Sequence, residues 1–349
     1  MLIKIRNDLY PFSHSFGKTL LITNTNYTLQ VFPSMLIFKE INKDKEFKIH
    51  FDINGPIKNF LVMQDLKKGI VKISFFTKDD FISYKIFTFD STKIFFEKIH
   101  SNSLDLKINT TSKKVKSKST IELPIEITSN EKIIEKLSFG SHKKQDIDLI
   151  KRREDIKEIF PFIFSLSQFF KCEKKYTSQI FKSIEKKIKN KDKLNLEEDF
   201  LNICKSFFFD FFTPRIFHFD YQNIFKENFG KIDPIIILKE FSRLLRNTLI
   251  LEEKENVNIL PLLMKEFFCG RFINVNLNFA IIDIEWSKKL IKKMIVKPKV
   301  DKKIHFKFQS KIDTFRVRSF LKEKGKVHKN NDLFFLEKNK TYFFDRFQK

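Results

Sequence analysis

The chain has 349 residues, of which 42% are hydrophobic and 32% charged, and its formal net charge is +24. This balance excludes an intrinsically disordered chain, because enough apolar surface is present to bury a core, and the length allows two or three domains. With only 7 glycines the sequence has no Gly-rich phosphate-binding motif, and its 3 widely spaced cysteines predict neither a disulfide framework nor a zinc site.

The composition is biased towards residues with A/T-rich codons, with 45 Phe and 57 Lys against 10 Arg and one Ala. A strongly A/T-biased genome explains these counts better than a function does. We therefore interpret runs of phenylalanine first as core residues. Part of the positive charge is lysine placed wherever a polar residue would serve, which weakens the usual inference from high net charge to polyanion binding.

Residues 1–140 are predicted to form an N-terminal antiparallel β-sandwich domain. Phe47, Ile49 and Phe51 alternate with polar residues, which is the two-residue period of a half-buried strand. Similar short runs recur, separated by turn-forming residues and with no helical interruption, and this pattern is typical of a sandwich. Residues 109–118 (NTTSKKVKSK) are predicted to be an exposed hairpin or a linker.

Residues 141–270 are predicted to form a helical domain of about six helices. Asp233 followed by Pro234 is typical of a helix start. Three apolar stripes have helical spacing: Ile180, Ile184 and Ile188; Phe200, Cys204, Phe207 and Phe211; and Leu238, Phe241, Leu245 and Leu249.

Residues 271–349 are predicted to form a small, basic, C-terminal antiparallel β-module, so the whole chain is a multidomain α+β protein. This segment has 21 basic and 8 acidic residues, a balance of +13 out of +24. We expect residues 303–309 and 312–318 to pair as a hairpin with one basic face. That face either binds a polyanion, or is simply solvated, or is neutralised by acids elsewhere in the chain. Its basic side chains are Lys303, His305, Lys307, Arg316 and Arg318.

Two polar clusters are candidate ligand-binding sites. The first, residues 140–146 (GSHKKQD), offers His142 and Asp146 for proton transfer or for contact with hydroxyl groups, although helix capping also explains it. The second, residues 210–220, sets Asp210, Arg215 and His218 among aromatic residues. That arrangement suits either a sugar ring or a helix end packed into the core with an internal Asp–Arg pair.

Trp286, the single tryptophan, is either a ligand-stacking side chain or a core anchor. It lies in a part of the chain that resembles the closing β-module of glycoside hydrolases with an (α/α)6 barrel. The residues that carry this resemblance are 283–286 (DIEW), 289–291 (KLI), 294–296 (MIV) and 339–344 (NKTYFF). In that family a β-sandwich, a helical barrel and a terminal sheet follow in the same order, so the resemblance implies this order and a carbohydrate-related role.

The predicted helical part is too short for that family's barrel. Twelve helices with their loops need roughly 190 residues, whereas residues 141–270 provide 130. No catalytic acid or base can be aligned, and none is carried over.

Three functions remain open from the sequence, and whether the chain is an enzyme is undecided. The first choice is a non-catalytic interaction or scaffold protein that uses its basic C-terminal face to contact a protein partner or an acidic surface. The alternatives are a reduced carbohydrate-binding or glycoside-hydrolase-like protein, and a nucleic-acid binder. The last is disfavoured because no aromatic residue is expected among the basic side chains of the hairpin.

No cofactor and no metal are expected. The N-terminal residues lack the apolar core of a signal peptide, and no apolar stretch approaches the ~20 residues of a transmembrane helix. We therefore expect a cytoplasmic protein, with export independent of a signal peptide as an open alternative.

Overall fold

Twelve short strands lie in the described residues of the N-terminal part of the chain. The computed structural model describes residues 12–14, 16–22, 25, 27–40, 45–65, 69–89, 93–102, 104–108, 111–116, 118–125, 127, 134–140, 153, 155–168, 178–212, 234–320 and 322–349. The strands are β1 Phe12–Ser13, β2 Lys18–Leu21, β3 Tyr27–Val31, β4 Met35–Glu40, β5 Glu46–Phe51, β6 Lys58–Asp65, β7 Ile70–Phe76, β8 Phe81–Phe89, β9 Lys93–His100, β10 Asp105–Ile108, β11 Thr111–Lys114 and β12 Thr120–Glu122.

These strands form two six-stranded antiparallel sheets, in the orders β1-β6-β7-β8-β9-β12 and β11-β10-β5-β4-β3-β2. In β5 the side chains of Ile49 and Phe51 are buried while Lys48 and His50 are exposed, which confirms the predicted alternation. The ring centroid of Phe51 lies 5.3 Å from that of Tyr84 on β8, in the other sheet. The two sheets therefore face each other across one shared core.

Four helices lie in the described part of the chain: α1 Ile156–Ser167, α2 Gln179–Lys189, α3 Leu196–Phe212 and α4 Pro234–Leu249. The carboxylate of Asp155 accepts a hydrogen bond from the backbone N–H of Lys157 and caps α1, and the Ser178 hydroxyl caps α2 in the same way. The predicted stripe of α4 is buried along its whole length, and α4 begins at the predicted proline. The α+β class is confirmed, whereas the expectation of about six helices is not matched.

Strands return earlier than predicted, directly after α4. β14 Ile250–Glu253 and β15 Asn256–Ile259 form a hairpin within the range that was predicted to be helical. β15 also pairs with β19, almost 50 positions later in the chain, and no local pattern signals that pairing. The other strands of this part are β13 Lys136–Ser138, β16 Gly270–Asn276, β17 Ala280–Ser287, β18 Leu290–Pro298, β19 Lys302–Lys307, β20 Thr314–Arg318, β21 Lys326–Lys329, β22 Leu333–Leu336 and β23 Tyr342–Gln348.

The C-terminal strands form two sheets. One is a seven-stranded antiparallel sheet, β13-β16-β17-β18-β23-β20-β21, and the other is a four-stranded sheet, β14-β15-β19-β22, in which β15 and β19 run parallel. Buried side chains of the helices and of both sheets form one continuous cluster, and the ring of Phe164 in α1 contacts that of Phe272 in β16. The helices thus share a core with the C-terminal sheets, and the division into three domains remains a prediction.

Among the described residues, no helix is both long enough and apolar enough to span a bilayer.

Candidate functional site

The two predicted polar clusters fall almost entirely outside the described residues. This holds for His142, Asp146, Arg215 and His218. Asp210 lies in α3, but its side chain is not among those described. Whether these groups converge on one pocket is untested, and their role stays a prediction.

Trp286 is a core residue. Its side chain is 1% exposed, and the indole N–H donates a hydrogen bond of 3.0 Å to the carbonyl of Phe267. Gly270, on the neighbouring strand, has no side chain and leaves room for the indole, because a Cβ there would collide with the ring. This placement agrees with the core-anchor interpretation rather than with a stacking surface for a ligand.

The predicted basic hairpin does not form. β19 lies in the four-stranded sheet between β15 and β22, whereas β20 lies in the seven-stranded sheet between β21 and β23. The chain crosses from one sheet to the other at residues 308–313, where Phe308 and Ile312 are buried in the common core. Burial of these two apolar residues directs the segment inward, so the five candidate basic residues divide into two groups.

Arg316 and Arg318 share one acidic partner within the fold. Both donate to the carboxylate of Asp345, with the Nε of Arg316 at 2.8 Å from Oδ1 and its Nη2 at 3.0 Å from Oδ2. Burial alone would raise the pKa of Asp345, but hydrogen bonds and charge from the two arginines lower it below its ordinary value. These arginines therefore agree with the interpretation in which acids elsewhere in the chain pair with the basic residues, and Asp345 compensates one of their two charges.

Lys303, His305 and Lys307 lie together on the solvent-facing side of the four-stranded sheet. In the register of the sheet Lys303 is opposite Phe335, and His305 is opposite Leu333. Phe335 is 55% exposed and Leu333 is 52% exposed. We call the solvent-facing side chains of β19 and β22, namely Lys303, His305, Lys307, Leu333 and Phe335, the outer sheet face.

A lysine-rich cavity of about 700 Å³ lies beside this face. It is bordered by the loop after α2, the β17–β18 turn, the loop after β19 and the β21–β22 turn. Among the described residues, no acidic side chain lines the cavity, and none of its lysines forms an ion pair. We call it the lysine pocket; its seven lysines are Lys191, Lys193, Lys288, Lys289, Lys307, Lys311 and Lys349.

Two amide side chains hold the walls of the lysine pocket in place. The Nε2 of Gln309 donates to the carbonyl of Lys289 at 2.6 Å, and its Oε1 accepts from the N–H of Ile291 at 3.1 Å. On the other side of the loop, the Oδ1 of Asn330 accepts from the N–H of Phe308 at 3.1 Å. The Nδ2 of the same amide donates to the carbonyl of Ile312 at 2.9 Å. The loop after β19 is therefore tied to both neighbouring turns through backbone groups, which positions its lysines.

The β17–β18 turn has an unusual sequence for its conformation. Lys288 and Lys289 have φ angles of 53° and 58° and connect the paired residues Ser287 and Leu290. Two consecutive positive φ angles are characteristic of a type I′ turn, for which Asn-Gly is the preferred sequence. The left-handed conformation costs a residue other than glycine roughly 1–2 kcal/mol. The turn therefore carries two lysines at the edge of the pocket at the expense of stability.

Seven lysine residues line one cavity and give its surroundings a positive potential. Low-dielectric walls concentrate such a field, and anions accumulate where it is strongest. The pocket also offers amide groups and the Ser310 hydroxyl. This chemistry suits phosphate, sulfate or carboxylate groups.

Of the pocket lysines, only Lys307 was a candidate from the sequence. The surplus of +13 in residues 271–349 indicated the region, but the pocket also draws Lys191 and Lys193 from the helical part. The consecutive Lys288 and Lys289 lie between apolar runs within the predicted β-module and were a usable signal, because a lysine pair in a hairpin turn is an uncommon choice.

Neither a protein family model nor a curated protein sequence matches this chain, so its function has to be argued from the geometry described above.

Proposed function

We propose that this chain is a binding protein for a polyanionic partner, with the lysine pocket as its principal contact. The observation that carries the proposal is the set of seven lysines around one cavity, without an ion-pair partner or a lining acid among the described residues. This proposal develops the sequence-based expectation of an interaction protein with a basic C-terminal surface.

The contrast with Arg316 and Arg318 supports the proposal. Codon bias places lysine throughout the chain, but it does not determine which basic groups are neutralised in the folded state. The two arginines share Asp345, whereas the pocket lysines remain unpaired among the described residues. Mutual repulsion of unpaired ammonium groups opposes folding, and a bound polyanion removes that repulsion.

The carbohydrate alternative receives less support. It rested on the order of elements and on Trp286 as a stacking residue, and Trp286 is buried. It stays a prediction that depends on the residues outside the described ranges.

Calorimetric titration with inorganic polyphosphate, repeated at several salt concentrations, tests the proposal. We expect binding that weakens as salt rises, because counterions are released when lysines neutralise phosphates. The triple variant Lys193→Gln, Lys288→Gln, Lys311→Gln should bind roughly 10-fold more weakly or worse and show a shallower salt dependence.

A second triple variant supplies the matched control. Lys322, Lys324 and Lys338 are exposed and do not line the pocket, so their replacement by glutamine changes the net charge by the same amount. We expect this control to bind nearly as the unmodified protein does. Equal weakening in both variants would show that general surface charge, and not the pocket, binds the polyanion.

A further inference from the structure

The geometry points to a single-stranded nucleic acid as the polyanion, with phosphates in the lysine pocket and bases against the outer sheet face. This inference rests on the proposed function and adds the class of the ligand. Its observations are the position of Lys307, which belongs to both surfaces, and the exposed aromatic ring of Phe335.

The two surfaces are continuous. Lys303, His305 and Lys307 occur at alternate positions of β19, and alternate residues point to the same side of a strand roughly 6.6 Å apart. The row of basic groups therefore extends from the lysine pocket for about 13 Å along the sheet. An extended phosphate backbone can follow such a row, whereas a compact anion would use the pocket alone.

His305 is held in a defined orientation within this row. Its Nδ1 lies 2.9 Å from the carbonyl oxygen of Asn331, which can only accept, so the imidazole donates through Nδ1. Its Nε2 is therefore directed away from this contact and is available for a hydrogen bond to a ligand.

Apolar side chains border the basic row on the edge strand. Phe335 is opposite Lys303, and Leu333 is opposite His305, so a ring and an aliphatic group stand beside successive basic groups. Among the described strands β22 pairs only with β19, and it is the edge strand of the four-stranded sheet. Proteins that bind single strands combine a basic groove with aromatic side chains on which bases stack.

The sequence disfavoured nucleic-acid binding because no aromatic residue was expected among the basic side chains, and Phe335 supplies one. The aromatic partner of the basic row comes from a strand about 30 residues later and not from the expected hairpin. Glu253, on β14 of the same sheet, contributes an acidic group and accepts a hydrogen bond from Asn258, which lies opposite Lys307. Asp301 and Glu337 adjoin the far end of the row, where they bond to the Lys338 N–H and to Lys340. Along the strands themselves the three basic side chains of β19 outnumber the Glu253 carboxylate, so this surface stays attractive to phosphates.

An unpaired base exposes its ring faces, whereas the bases of a duplex are stacked on each other. Phe335 can therefore stack on a single strand but not on an intact duplex. An acidic protein segment or a sulfated sugar would use the lysines and would gain little from the ring. The expected order of affinity is single strand, then duplex and polyphosphate.

Fluorescence anisotropy with a labelled oligothymidylate tests this inference, with polyphosphate titration in parallel. Phe335→Ala should weaken oligonucleotide binding roughly 5-fold or more, as expected for the loss of one stacked base, and leave polyphosphate binding unchanged. Phe335→Tyr retains the ring and should bind as the unmodified protein does. Phe320→Ala is the control, because Phe320 is a 73% exposed ring outside the outer sheet face.

The outcomes separate this inference from the proposed function. If Phe335→Ala binds the oligonucleotide normally while the pocket variants still lose polyphosphate, the partner is another polyanion and the inference fails. Preference for duplex over single strand would overturn it as well. If the pocket variants retain polyphosphate binding, the proposed function itself is wrong.

Discussion

Replacing Lys288 and Lys289 of the β17–β18 turn by Asn and Gly should stabilise the fold and weaken its binding of polyanions. Lys288 and Lys289 occupy left-handed backbone conformations that Asn and Gly adopt with less strain. Relief of strain at Lys289→Gly contributes roughly 1–2 kcal/mol, and Lys288→Asn adds a few tenths. The greater freedom of glycine in the unfolded chain offsets about 0.5–1 kcal/mol of this gain.

The net effect is a stabilisation of about 1 kcal/mol. The turn connects two strands that contribute to the core between Leu137 and Phe344. For a folded unit of that size, this gain should raise the melting temperature by about 2–4 °C. Binding changes in the opposite direction. Loss of two cations should reduce the slope of log K against log salt concentration by about 1.4 in magnitude. It should also weaken single-strand binding about 10-fold near physiological salt.

The double variant Lys288→Gln, Lys289→Gln is the matched comparison, because it removes the same charges and keeps residues that are strained at positive φ. We expect it to bind as weakly as the Asn-Gly variant but without the increase in melting temperature. Differential scanning calorimetry and salt-dependent titration measure the two effects. Equal melting temperatures would refute the strain argument, and unchanged affinity in both variants would refute the role of the turn in the pocket.

Gln309→Ala should weaken polyphosphate binding several-fold without changing the net charge, because the β17–β18 turn loses two hydrogen bonds to this side chain. Titration at constant salt measures the change, and normal affinity would show that the amide does not position the turn. Gly270→Ala should reduce the free energy of unfolding by about 2–3 kcal/mol, since the new Cβ would lie 2.6 Å from the Ser138 carbonyl and against the Trp286 ring. Denaturant titration followed by tryptophan fluorescence checks this, and a value like that of the unmodified protein would mean that the ring can shift. Asp345→Asn should lower the free energy of unfolding at neutral pH, because two arginines lose their shared carboxylate partner. The pKa of Asp345 is lowered in the folded state, so its contribution is fully present above the unfolded pKa of about 4 and is lost as pH falls through the folded value. Stability measured from about pH 6 to pH 2 should therefore decline less in the variant, and parallel curves would contradict the ion pair's contribution.

Local elements were predictable to the extent that their signals are local. The alternation around Ile49 and Phe51 marked a strand, and the stripe from Leu238 to Leu249 marked a helix, because burial of one face imposes the period of the element on neighbouring residues. Local patterns did not locate the point within residues 141–270 at which helices are followed by strands. Residues 250–259 form a local hairpin, and its second strand is fixed in the sheet by β19, a partner distant in the sequence.

The candidate site was predictable only in part. Charge counting located the basic part of the chain, and the alternation in β19 placed Lys303, His305 and Lys307 on one face, as the structure has them. The pairing of β19 with β20 was wrong, because alternation determines which side chains share a face and carries no information about which strand is adjacent.

The balance of charge, the periods of many strands and helices, and the succession of strands, helices and strands can be read from the sequence. The folded chain shows which lysines line one cavity without an ion-pair partner among the described residues, and which arginines share Asp345. The physical reason is that periodicity depends on neighbours a few residues apart. The lysine pocket, in contrast, assembles side chains separated by more than 150 positions, from Lys191 to Lys349, which packing of the common core brings together.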